Sequence, residues 1–208
     1  MMRAFLMRAL TAVCVAMAAS SAMAAPGPDE VIKSVGDEVL AIVRSDKAIQ
    51  SGDLQKSLAL IEEKVLPHFD FSRMTALAVG RDWRSASADQ KTALTNEFRT
   101  LLVRSYANAL NRFKDYQISF KPLKMKDGET DTVVRTEVRK AGAQPDSVDY
   151  SVYLKNGEWK VYDVAVAGVS LITSYRDSFG QEIKTSGIDG LIASLKTKNS
   201  QNSSGGAK

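Results

Sequence analysis

From Asp29 the chain sets Val31, Val35, Val39 and Ile42 three or four residues apart, the repeat of one helical face, with Asp29 as N-cap. Leu54, Leu58, Ile61 and Val65 repeat the pattern behind Asp53, and Pro67 closes it. The stretch DFSRMTALAVG predicts a short helix stopped by Gly80. Ser87 and Gln90 then form a capping-box pair ahead of the longest helical run, which carries Leu94, Phe98, Leu101, Leu102, Tyr106, Ala109, Leu110 and Phe113. After Phe113 the period falls to two. YQISFKPL, DTVVRTEV, SVDYSVYL and EWKVYDVAV each alternate as strands do, and Asn156-Gly157 is a hairpin signal. A helical period returns from Val169 to Phe179 and again in GIDGLIASLKTK. The order predicts an α+β fold over 25–198: a helical N-terminal half packed on an antiparallel sheet of about four strands, then C-terminal helices.

The two ends stand outside this pattern. Residues 1–24 place Arg3 and Arg8 ahead of an apolar run and finish on Ala22-Met23-Ala24, the layout of a cleaved export signal. The run is well short of the roughly 20 residues that span a bilayer, so cleavage near Ala24-Ala25 and release into the periplasm are expected, with no transmembrane segment in the mature chain. The tail NSQNSSGGAK, 199–208, is polar and small and is expected to be disordered.

Removing the leader changes the composition. It takes away Cys14, the only cysteine, so the mature chain has no disulfide or thiol chemistry and must rely on a packed core. It also takes two arginines, leaving 26 basic side chains against 24 acidic, a net of +2, instead of the +4 of the full sequence. The bases are interleaved with acids, which is not the footprint of a nucleic-acid binder.

Candidate chemistry is sparse. Gly168-Val169-Ser170 copies the first half of the G-x-S-x-G turn that carries a hydrolase nucleophile, but Ile172 stands where the second glycine belongs. His68, the single histidine, lies about a hundred residues upstream, so Ser170 reads as a helix N-cap and the chain as a non-enzyme. No metal or other cofactor is expected, because zinc and copper sites need clustered cysteine or histidine. Asp163 and Arg176 read as a structural ion pair. What remains is apolar surface: Val134, Val138, Tyr150, Val152, Leu154, Val161, Val164 and Val166 on the strands, facing Phe98, Leu102, Tyr106 and Leu110 on the long helix. Periodicity does not distinguish a filled core from a hollow one here.

VLPHFDFSRMTALAVGRDWRSAS, FRTLLVRSYANAL, NGEWKVYDVAVAGVSLITSYRDSF and the final GIDGLIASL occur in the order found in the MlaC family of periplasmic phospholipid-binding proteins, and the chain resembles that family over most of its mature length. The resemblance implies an NTF2-like cone, a curved sheet with helices across its mouth and a helical subdomain. It implies phospholipid as cargo, carried between an outer-membrane lipoprotein complex and an inner-membrane ABC transporter with an MCE-domain subunit, to maintain outer-membrane lipid asymmetry. The apolar residues above, with Val169, Leu171 and Ile172, then become the pocket wall, and Tyr175 and Arg176 the head-group candidates. A lipid-free periplasmic adaptor or chaperone with a filled core is the alternative.

Overall fold

The computed structural model describes residues 26–107 and 110–204; the expected leader, 1–24, lies outside the described residues. Helix α1 (Pro28–Ser45) starts ahead of the expected Asp29 cap, because Pro28 takes the first helical position and Gly27 is the cap, its N–H donating to Glu30 Oε2 at 3.1 Å. A single turn, α2 (Lys47–Gln50), and α3 (Leu54–Leu60) follow, each capped by an aspartate: Asp46 accepts from the amides of Ala48 and Ile49, and Asp53 from Lys56. Beyond Leu60 the chain does not continue as an α-helix to Pro67. It widens into a π turn, Ile61–Val65, and then tightens into a 3₁₀ turn, Leu66–His68.

Asp70 caps α4 (Phe71–Val79), which Gly80 ends at φ 71°. The Ser87–Gln90 capping box opens α5 (Ala88–Ala107), with bonds of 3.0 and 3.1 Å. The expected long helix is shorter than its apolar run, since Leu110–Asp115 is a separate 3₁₀ turn. Arg44 on α1 ties this turn down, donating to the carbonyls of Lys114 and Tyr116 at 3.0 and 2.7 Å.

The sheet is a pure antiparallel meander of five strands in chain order: β1 (Tyr116–Phe120), β2 (Asp131–Lys140), β3 (Asp146–Lys155), β4 (Glu158–Val166) and β5 (Val169–Ser170). Four strands are the expected ones. The fifth is a two-residue return that pairs with Ala165 and Val166, too short for alternation to reveal. Asn156 and Gly157, at φ 53° and 84°, make the β3–β4 turn, where both residues must take left-handed backbone. A bulge interrupts the β3–β4 register: Ser151 faces Asp163 while Val152 faces Val161, so Tyr162 is the extra residue. The bulge shifts the alternation by one, and Val161 and Val164 fall on the same face although they are three apart.

Helix α6 (Leu171–Ser204) packs along α5 and α4 and is broken at Gly187, whose φ of 71° and ψ of −178° separate 171–186 from 188–204. Three residues on, a Cβ at Gly190 would lie 2.1 Å from Ser186 Cβ, so the chain can turn this tightly only with glycine there. The helix reaches Ser204, which corrects the expected disordered tail for 199–204. Asn199 is buried: its side-chain Nδ2 donates to the Glu97 carbonyl and carboxylate at 2.9 and 2.8 Å, and its backbone carbonyl accepts from Arg104 at 2.6 Å. A polar composition predicts a tail because it cannot show that one asparagine has partners on α5.

The main core lies where α4, the first half of α5 and α6 meet, around Met74, Leu94, Phe98, Phe179, Leu191 and Leu195. A second cluster joins α1, α2 and α3 to the 3₁₀ turn through Val43, Ile49, Leu60 and Leu110. A third, Val134, Val152 and Val161, sits on the sheet with Ile32, Phe69 and Trp159 packed against it.

Candidate functional site

Between the sheet, the end of α5 and the π turn the packing leaves a cavity of about 630 Å³. Strands β3 and β4 contribute Tyr150, Val164 and Val166; β5 and the start of α6 add Val169, Leu171, Ser174 and Tyr175. Facing them are Leu102, Val103 and Tyr106 of α5, with Leu110 and Phe113 of the 3₁₀ turn. The third wall is Ile61, Val65, Leu66, Phe69, Phe71 and Met74. No charged side chain is among these eighteen residues.

The mouth is as apolar as the interior. Val169 is 63% exposed, Tyr106 53% and Val166 51%, and Phe113 stands beside them at the rim. Large apolar residues left in water around an apolar hollow are unusual on a soluble surface and mark a binding site. The interior has few polar groups. Burial pushes the Tyr150 phenol up to about 12, and burial with Tyr106 nearby raises Tyr175, so both rings stay neutral at physiological pH.

Of the expected wall residues, Leu102, Tyr106, Leu110, Tyr150, Val164, Val166, Val169 and Leu171 line the cavity. Seven do not. Phe98 and Ile172 lie in the main core, where the Phe98 ring meets Tyr175 and Phe179 edge-on at 5.0 and 5.1 Å. Val134, Val152 and Val161 share the cavity's face of the sheet but are buried as the third cluster, with Ile32 and Phe69 packed against them. Val138 is buried opposite Ile118, and Leu154 is exposed beside the Asn156-Gly157 turn. Tyr175 lines the cavity; Arg176 does not, because its Nε donates to the Leu77 carbonyl at 3.1 Å.

Sequence reasoning misses the wall formed by residues 61–74. Helical periodicity puts Ile61 and Val65 in a continuous helix, and the π turn re-aims them. Phe69 and Phe71, stacked with centroids 5.9 Å apart, flank Asp70 in an apolar–polar–apolar alternation that is the available signal. Asp70 fixes this wall to the sheet. Its N–H donates to the Val161 carbonyl at 2.8 Å, and its carboxylate caps α4 and accepts from Tyr153 and from Lys155, the latter at 2.6 Å. Burial acts to raise the Asp70 carboxyl, but Lys155, Tyr153 and the Arg73 amide outweigh it and hold the group below the usual range. One turn along, Arg73 lies over the rings of Tyr153 and Tyr162, 4.0 and 3.8 Å from their centroids, and pairs with Asp131 at 2.9 Å. The α4 wall is therefore clamped to three strands.

Ser170 is a helix cap: its Oγ accepts from the Thr173 amide at 3.1 Å and donates to Asp163 at 2.5 Å. Asp163 also accepts from the amides of Val164 and Ile172, so it does not pair with Arg176, which corrects the expected ion pair. Three donors close to its own strand satisfy the carboxylate locally. His68 neighbours Lys160 and Glu158 at the opposite end of β4, about 17 Å along the strand from Ala165, the partner of Ser170. Burial and Lys160 lower its pKa. Among the described residues no group of three or more histidine, cysteine, aspartate or glutamate side chains could hold a metal ion, and no helix is long and apolar enough to cross a membrane.

The chain is 24% identical over 184 residues to the intermembrane phospholipid transport system binding protein MlaC of Haemophilus influenzae, covering 87% of this chain and 86% of that one. It is 24% identical over 168 residues to the toluene tolerance protein ttg2D of Pseudomonas putida, covering 80% and 78%. A phospholipid-binding protein from Ralstonia solanacearum, solved in complex with a phospholipid, superposes with a TM-score of 0.80 at 34% identity, over 86% of this chain and 99% of that one. The model of the MlaC protein family matches residues 33–197, from within α1 to within α6 and so including every wall of the cavity. The chain belongs to the MlaC family.

Proposed function

We propose that this protein is a periplasmic phospholipid carrier that shuttles lipid between an outer-membrane lipoprotein complex and an inner-membrane ABC transporter with an MCE-domain subunit. The observation that carries the reading is the uncharged cavity of about 630 Å³ with its exposed apolar rim. The walls suit acyl chains, and the absence of lysine and arginine from them leaves the head group to the solvent side of the mouth. The Ralstonia solanacearum relative with its bound phospholipid supports the same ligand class. A filled-core adaptor is disfavoured, since it would have no use for an apolar hollow with an apolar rim.

Transfer energetics shape the mechanism. At roughly 0.8 kcal/mol per buried methylene, a diacyl lipid of about 30 methylenes gains on the order of 24 kcal/mol on leaving water. Release into water is negligible on that scale. A wall about as apolar as a bilayer brings exchange with a membrane or another apolar pocket close to balance, so cargo leaves when a partner covers the rim at Tyr106, Phe113, Val166 and Val169. The carrier sets no direction by itself.

Native mass spectrometry of gently purified protein, followed by lipid extraction, tests the reading. The expected result is a mass above the bare polypeptide that resolves into phospholipid. A bare polypeptide mass throughout, with nothing in the organic extract, overturns it.

A further inference from the structure

A smaller hollow, about 330 Å³, lies between α3 and α5, lined by the apolar Leu58, Ala59 and Val103 and by the polar or charged Gln55, Glu62, Arg99, Thr100 and Arg104. Among the described residues Val103 is the one that lines both hollows. Opposite it the π turn divides the same way: Ile61 faces the cavity and its neighbour Glu62 the groove. The partition here is therefore a single layer of side chains. It stands where the helix carries its π turn, an irregularity frequent at functional sites. Across the groove Glu62 and Arg99 approach to 3.7 Å, but both are well exposed, so this contact closes it weakly.

We infer that Val103 is a specificity-determining residue that limits the length of acyl chain the cavity accepts, and that the α3–α5 groove is the space into which a longer chain would extend. The inference rests on the phospholipid reading of the cavity. The physical argument is the thinness of the partition, since Val103 borders both hollows. The side chain of Val103 ends the apolar volume on one side and borders a mostly polar groove on the other, where a longer chain would lie against Leu58, Ala59 and the aliphatic stems of Arg99 and Arg104. Shortening it joins the two spaces, and enlarging it moves the stop inward. The residue is only half-buried, so either change leaves the packed core of α5 at Leu94, Phe98 and Leu101 untouched.

The test loads wild type, Val103→Ala, Val103→Phe and the double variant Val103→Ala with Ala59→Trp from an equal mixture of short-, medium- and long-chain diacyl phosphatidylglycerols. Bound species are read by native mass spectrometry. Relative to wild type, Val103→Ala is expected to enrich long chains, by about fourfold for each methylene it newly buries, and Val103→Phe to enrich short ones. Ala59 is exposed, and a tryptophan there fills the groove, so the double variant is expected to return to the wild-type profile. If Val103→Phe fails to fold, the comparison of Val103→Ala with the double variant decides alone. Wild type that carries lipid, with the same chain-length profile in every folded variant, overturns the inference and leaves the carrier reading standing. Wild type that takes up no lipid overturns both.

Discussion

The two halves of α5 carry one apolar stripe and meet opposite fates. In the first half Leu94 and Phe98 have no exposed surface, enclosed by α4 and by Phe179, Leu191 and Leu195 of α6. One turn after Phe98, Leu102, Val103 and Tyr106 face a hollow, and Tyr106 is more than half exposed. Residue type does not make the difference, since leucine and an aromatic occur in both halves. What differs is the partner. The N-terminal half is covered by a helix that follows it closely; the C-terminal half faces a sheet held at a distance by α4 and the π turn. The filled half supplies the packing that allows the other to stay empty.

The filled half is where truncation should cost most. Phe98→Ala removes a fully buried ring in edge-on contact with two others, and large-to-small changes of this kind cost about 3–5 kcal/mol. Urea denaturation should show a stability lowered by that amount. A loss below about 1 kcal/mol would mean that the core around α5 is as loosely filled as the cavity, and the contrast would fail.

Asp70 comes next, because it holds the cavity wall to the sheet. Asp70→Asn keeps the shape but loses the charge that Lys155 and the Tyr153 hydroxyl address, and a weakened buried charged acceptor is worth about 1–3 kcal/mol. The sign with pH follows from the lowered carboxyl. Its contribution is fully present above the unfolded value of about 3.9 and disappears as pH falls through the depressed folded value. Wild type should therefore lose stability below about pH 4, and Asp70→Asn should flatten that part of the acid limb in urea titrations. Equal acid dependence in the two proteins would show that the clamp rests on Arg73 and its two tyrosines instead.

Much of the filled region is legible in the sequence, and much of the hollow is not. Periodicity finds the amphipathic faces, the Ser87 and Asp53 caps, the Asn156-Gly157 hairpin and four of five strands, because each is a local pattern of a few residues. Eight wall residues of the cavity are also found, since alternation identifies the apolar face of a sheet. Alternation cannot say which part of that face is covered, so it groups Val134, Val152 and Val161 with Val164 and Val166 although Ile32 and Phe69 pack against the first three. Ile61, Val65 and Leu66 are hidden by the π turn, a departure of one residue from a helical period that the sequence itself supports. Closeness in the chain suggests Arg176 as the partner of Asp163, but the actual partners are a serine and two amides.

Ser170 gives a smaller effect. Ser170→Ala removes the cap on α6 and one donor to Asp163, a loss of about 1 kcal/mol by urea denaturation. Lipid occupancy should persist, since the hydroxyl works on the backbone and not in the cavity.

The smallest effect on stability is expected at the rim, and it separates the two regions most sharply. Val166 and Val169 are already 51% and 63% exposed, so replacing both with serine removes little buried surface and should shift stability in urea by less than about 0.5 kcal/mol. The same pair borders the apolar cavity, where hydroxyls in place of methyl groups make the rim a poorer seat for an acyl chain. Co-purified phospholipid should therefore fall while stability holds, the reverse of Ser170→Ala and distinct from Phe98→Ala, which lowers occupancy only as far as it unfolds the chain. Unchanged lipid content in the double serine variant would place the binding energy wholly inside, on Leu102, Leu110 and Tyr150, and leave the rim to contacts with whatever receives the cargo.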